Sequence, residues 1–191
     1  MRKPNYLDWK EVFLDTSIIF AYQQATRSGN TDLRCEFVKR LIDDLVSRDI
    51  QLFMSAISIS EMYNKSDSTP KTKKIIDHIN SKNMTFMSFD TNIGEHMTCQ
   101  YHKVLGKDKL NSLVEEISWP NSDLILAKEW ITKDLMIIAT ADYIKSDVIL
   151  TLDKKTMHPL AKKVEVFSAY TIKENFNHNK TYIFEYQEKE N

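Results

Sequence analysis

Four carboxylates stand where apolar runs meet helix-like segments: Asp15 closing VFLD, Glu61 closing SAISISE, Asp134 opening DLMIIATA and Asp153 closing VILTLD. Each has an ordinary structural explanation. Asp15 and Asp134 suit helix N-caps, Asp153 suits a turn after a strand, and Ser58-Ile59-Ser60-Glu61 reads as an S-x-x-E capping box. Their combined placement suggests more. Parallel strands point their C-terminal ends the same way, so acids at those ends, or on the helices that follow, converge in one crevice. Carboxylates crowded together raise one another's pKa unless a positive charge intervenes. A divalent cation supplies that charge, and hard oxygen donors without histidine or thiolate select Mg²⁺ or Mn²⁺ rather than zinc. Such a site polarises a phosphoryl oxygen and lowers the pKa of a bound water, and a second ion stabilises the leaving oxygen of an in-line displacement. The reaction this implies is phosphodiester hydrolysis.

The elements that must position these acids alternate between strand and helix. Val12 to Leu14 reads as a short buried strand ending at Asp15, and Ser17 to Arg27 as a helix. Gly29 and Asn30 break it, Thr31 is the expected N-cap, and Asp32 to Arg48 forms a second helix with the apolar stripe Phe37, Leu41, Ile42 and Leu45. QLFMS (51–55) returns as a strand, Ile57 to Lys65 is a short helix carrying Glu61, and SDSTP (66–70) is a loop. Residues 71–133 read as mostly helical around a short strand near 84–89, and Trp119-Pro120 breaks the chain before a helix from about Asn121. Asp134 opens the run DLMIIATADYI, and Val148 to Leu152 and VEVF (164–167) read as strands. The tail from Lys173 to Asn191 is polar apart from YIFEY (182–186), which suits an edge strand. This alternation predicts a single α/β domain, a parallel sheet with helices on both faces.

Composition narrows the classes. A chain of 191 residues with 42% hydrophobic residues can bury a core, and 26 basic against 27 acidic side chains leave a net charge of -1. No global field holds a polyanion, so nucleic acid binding must use local patches or metal. The three glycines, Gly29, Gly94 and Gly106, lie far apart, which excludes a Walker loop or a dinucleotide fingerprint. Cys35 and Cys99 suit thiols in a reducing compartment. No apolar run approaches the roughly 20 residues of a membrane span, so a cytoplasmic protein without membrane partners is expected.

VFLDTS, SISE, DLMIIATA and ILTLD, in that order, resemble the four signature blocks of the PIN-domain nucleases, among them the VapC-like ribonucleases of bacterial toxin and antitoxin pairs. The resemblance spans roughly residues 11–168. It implies a three-layer fold, a small parallel sheet flanked by helices. It also implies that Asp15, Glu61, Asp134 and Asp153 hold Mg²⁺ or Mn²⁺, that Ser17 steadies the first acid and its metal, and that Thr151 is a polar partner near the last. The implied activity is endoribonucleolytic cleavage of single-stranded RNA, leaving a 5′-phosphate and a 3′-hydroxyl. The long segment between Glu61 and Asp134 departs from compact members of the family and suggests extra helices inserted at about 64–120. Such helices suit an antitoxin or other protein partner, or a homodimer.

Other groups have simpler roles beside chemical ones. Lys154 and Lys155, followed by His158, Lys162 and Lys163, suit RNA phosphates, as do Lys65, Lys71, Lys73, Lys74 and Lys82 around His78; a solvated face explains either cluster as well. His96, Cys99 and His102 rotate around a helix in steps of three and make a poor zinc site. Trp119 and Trp130 suit a core or subunit contact better than base stacking. Asp142 and Asp147 fall outside the quartet. The alternative to a nuclease is a catalytically silent PIN-like module that binds RNA or protein. A haloacid dehalogenase-like phosphatase would require an aspartate where Ser17 stands.

Overall fold

A computed structural model describes residues 8–27, 29, 31–65, 73–74, 77, 83–117, 124–153, 156–157, 160–161, 169–172 and 184–186. The central strand β1 (Glu11–Leu14) shows why VFL is continuously apolar. Val12 and Leu14 turn into one core with Leu52, Met54, Val148 and Leu150, whereas Phe13 turns into a second core with Ile149. Successive side chains point to opposite faces, and both faces are covered, as in buried parallel sheets. Helices α1 (Thr16–Ala25) and α2 (Leu33–Ser47) close the first face with Ile18, Ile19, Tyr22, Phe37 and Leu41. On the second face lie α4 (Thr91–Ile117) and α5 (Leu124–Tyr143), which contribute Ile93, Tyr101, Ile131, Leu135 and Ile138. The result is the three-layer α/β architecture expected.

The sheet is completed by β2 (Gln51–Ser55), β3 (Met84–Met87), β4 (Val148–Thr151), β5 (Ala169–Ile172) and β6 (Phe184–Tyr186), with α3 (Ala56–Lys65) directly after β2. Its order is β3-β2-β1-β4-β5-β6, and all neighbours are parallel except the β5–β6 pair. From β1 the chain moves outward to β3, then crosses back to β4 on the other side of β1. The reversal opens a crevice at the C-terminal ends of β1 and β4, the switch point where α/β sheets hold ligands.

Several boundaries differ from the expectations. Asp32, not Thr31, caps α2, its Oδ1 accepting from the Arg34 N–H at 2.9 Å. The helix carrying Glu61 starts one residue early, and the Ser55 hydroxyl accepts from the Ile57 N–H at 3.2 Å; Glu61 therefore lies inside α3, not at N3 of a capping box. Asp134 lies mid-helix rather than opening its helix, because Ala127, Ile131, Leu135 and Ile138 form one buried stripe that runs straight through it. The segment expected as an insertion contains β3 and the 27-residue α4. VEVF (164–167) lies outside the described residues, and the strand after β4 is Ala169–Ile172; YIFEY does supply the antiparallel edge strand.

Candidate functional site

Asp15 follows β1 directly, and its N–H donates to the Leu150 carbonyl at 3.0 Å, tying it to β4. It occupies the N-cap position of α1 without capping it through its side chain. Its Oδ2 instead accepts from the Ser17 hydroxyl at 2.5 Å and the Thr151 hydroxyl at 2.8 Å. Those hydroxyls accept in turn from the N–H groups of Leu152 and Asp153, each at 2.9 Å. A short polar network thus stitches the ends of β1 and β4 and fixes the carboxylate between them. Burial pushes the Asp15 pKa up, the Ser17 and Thr151 hydroxyls and the Thr16 N–H pull against that rise, and Glu61 adds to it.

Glu61 reaches this cluster from α3, its Oε2 accepting from the buried Thr16 hydroxyl at 2.6 Å. Asp153 follows β4; its Oδ1 accepts from the Thr156 N–H at 2.9 Å and its Oδ2 meets the Thr156 hydroxyl. It therefore keeps the turn-capping role of a structural acid while lining the cleft. Asp134 arrives from the second face. From Tyr143, at the end of α5, back to Asp134 is about 14 Å of helix, and from Val148 to Asp153 is roughly 16 Å of extended chain. The two segments run in opposite directions and reach the same edge. Desolvation pushes the Asp134 carboxyl up to about 8; the charge of Asp15 adds to this, a Thr156 hydrogen bond opposes it, and Asp153 and Glu61 raise it further. The other three acids therefore all lie within electrostatic reach of Asp134.

All four line one cleft of about 340 Å³. Among the described residues, no three His, Cys, Asp or Glu side chains converge as a ready-made ion cage. The donor set nonetheless suits a hydrated ion, since Mg²⁺ keeps several waters and binds through one or two carboxylates. Burial first, and the neighbouring carboxylates second, favour the neutral form of Asp134.

No family model matches the sequence, and no curated protein matches it. Among solved structures, the chain is similar to one in the crystal structure of VapBC2 from Rickettsia felis bound to a DNA fragment from their promoter. The identity is 14%, the TM-score 0.46, and the match covers 75% of this chain and 88% of that one.

The cleft also holds residues that the motifs did not indicate. Continuing from Ser17, Phe20, Ala21 and Gln24 line the cleft, as do Arg34 and Cys35 at the start of α2. The spacing of the first four is a helical face, a signal present in the sequence but masked by apolar neighbours. Lys154 and Lys155 lie outside the described residues, as do His158, Lys71, His78, Lys82, Lys162, Lys163 and Trp119; Lys73 and Lys74 are exposed. His96 pairs with Asp142 and meets the edge of Tyr143 at 5.7 Å between ring centroids, and Cys99 is exposed. Trp130 is 54% exposed rather than filling the core. Asp147 accepts from the N–H groups of Lys10 at 2.7 Å and Glu11 at 2.9 Å, which explains its presence without chemistry. Among the described residues no helix is long and apolar enough to cross a membrane.

Proposed function

We propose that the cleft is the site of a metal-dependent endoribonuclease acting on single-stranded RNA. The observation that carries this reading is the meeting of four acids from four separate segments at the switch point of a parallel sheet. Asp15, Glu61, Asp134 and Asp153 would hold Mg²⁺ or Mn²⁺. When bound there, the ion supplies Lewis-acid polarisation of the scissile phosphate and offsets charge on the leaving oxygen. Ser17 and Thr151 hold Asp15 in one orientation, and Thr16 does the same for Glu61, so little reorganisation is needed as the phosphate arrives. A cation held in the cleft would favour the ionised form of Asp134.

The test is incubation of the purified chain with structured and unstructured RNAs in Mn²⁺, Mg²⁺ or chelator, beside Asp15→Asn. Metal-dependent cleavage by the parent and none by the variant is expected. Because Asn keeps an acceptor for Ser17 and Thr151 and removes a buried charge, the variant should melt no lower than the parent. Cleavage at an unchanged rate in Asp15→Asn would sink the site assignment.

The near-neutral net charge of -1 suits a second reading, a silent module that binds RNA or a protein without cutting. RNA binding with no cleavage under any metal condition is the result that module predicts.

A further inference from the structure

The cleft extends well past its acids. From Ser17 beside Asp15, the lining face of α1 runs through Phe20 and Ala21 to Gln24, a distance of about 10 Å along the helix axis. The first turn of α2 lines the same cleft with Arg34. The cleft therefore carries four carboxylates and, among its described lining residues, a single basic side chain. A chain of net charge -1 has no broad field to hold an RNA strand, so attraction for phosphate must be local.

Arg34 is built for such a contact. Asp32 caps α2 through the Arg34 N–H at 2.9 Å and also meets the guanidinium Nη2 at 3.4 Å. The Arg34 side chain is 46% exposed, so part of it meets solvent in the cleft. A guanidinium presents five N–H donors in a planar fork that matches phosphate oxygens. We propose that the α2 side of the cleft is a nucleotide subsite, in which Arg34 takes a backbone phosphate of an RNA strand bound in the cleft. The inference rests on the reading of the cleft as an RNA site, but not on the cleavage chemistry. The opposing account, an ordinary surface ion pair at a helix start, predicts no dependence of RNA binding on Arg34.

The experiment measures binding, in the Asp15→Asn background with Mn²⁺, of a short unstructured RNA carrying a fluorescent label, across a salt series. Arg34→Gln should weaken binding about tenfold and make the slope of log K against log salt shallower by about 0.7, the value for one phosphate contact on a single strand. Arg34→Lys should keep the slope and lose part of the affinity, since the charge remains and the fork is lost. An unchanged slope in Arg34→Gln overturns the subsite, and so does failure of the Asp15→Asn chain to bind RNA at all. Arg34-dependent binding in a protein whose parent never cleaves supports the subsite and refutes the nuclease reading, so the two fail separately.

Discussion

Asp134 shows most directly what burial, with acidic neighbours adding to it, does to a carboxyl. Its carboxyl has a pKa of about 8 in the folded chain against 3.8 for the free group. Between those values the folded state keeps a proton that the unfolded state has released. Stability from this group is thus lost as pH rises from about 4 to about 8 and is flat beyond. In chelator, the melting temperature should fall between about pH 5 and about pH 8, and the fall should be smaller in Asp134→Asn; an equal fall in both would place the titrating group elsewhere. Thr16 offers a second test. Thr16→Val keeps the shape but removes the hydroxyl that Glu61 accepts, and loss of a hydrogen bond to a charged group costs about 1.5–3 kcal/mol. Urea denaturation should show that loss, and cleavage should drop about tenfold or more as Glu61 loses its orientation.

At the scale of elements, the readable parts were those whose local pattern and tertiary role agree. QLFMS is a strand from Gln51 to Ser55 as read, and VFL ends at Asp15, because short apolar runs bounded by polar residues fit a sheet buried on both faces. Asp134 was misplaced for the opposite reason. D-x-x-I-x-A-x-A looks like a helix start, yet LILAKEWITK before it has the same helical period, and nothing local separates one long helix from two. Glu61 carried a capping signature that its helix does not use, since Ser55 does the capping one turn earlier. Arg34 could not be read as a cleft residue at all, because its position depends on how α1 packs against α2. Asp147 supplies the element-scale prediction. Asp147→Ala removes the acceptor for two N–H groups at the start of β1. That exposed site should cost about 1 kcal/mol in chemical denaturation and leave any cleavage rate unchanged. A loss of cleavage at full stability would give Asp147 a chemical role instead.

For the whole molecule, the proposed metal site would make ion binding and folding a coupled equilibrium. An ion that binds only the folded chain stabilises it by about 2.7 kcal/mol at a concentration a hundred times its Kd. Mn²⁺ should therefore raise the melting temperature of the parent, more at about pH 8 than at about pH 5, because Asp134 holds a competing proton at the lower pH. Equal shifts in the parent and in Asp15→Asn would mean that the ion binds elsewhere. The crossing back of the chain to β4 also governs when the cleft can exist. Thr151 and Asp15 are 136 residues apart in sequence, and β1 is flanked by β2 on one side and β4 on the other. Contacts that close so long a loop form slowly, since the chain entropy is lost before the contact repays it. During synthesis β1, β2 and β3 can associate while Asp134, Thr151 and Asp153 have yet to emerge. The unfinished chain therefore holds most of the cleft lining but only two of its four acids, so the acidic cluster is complete only once the chain has passed Asp153.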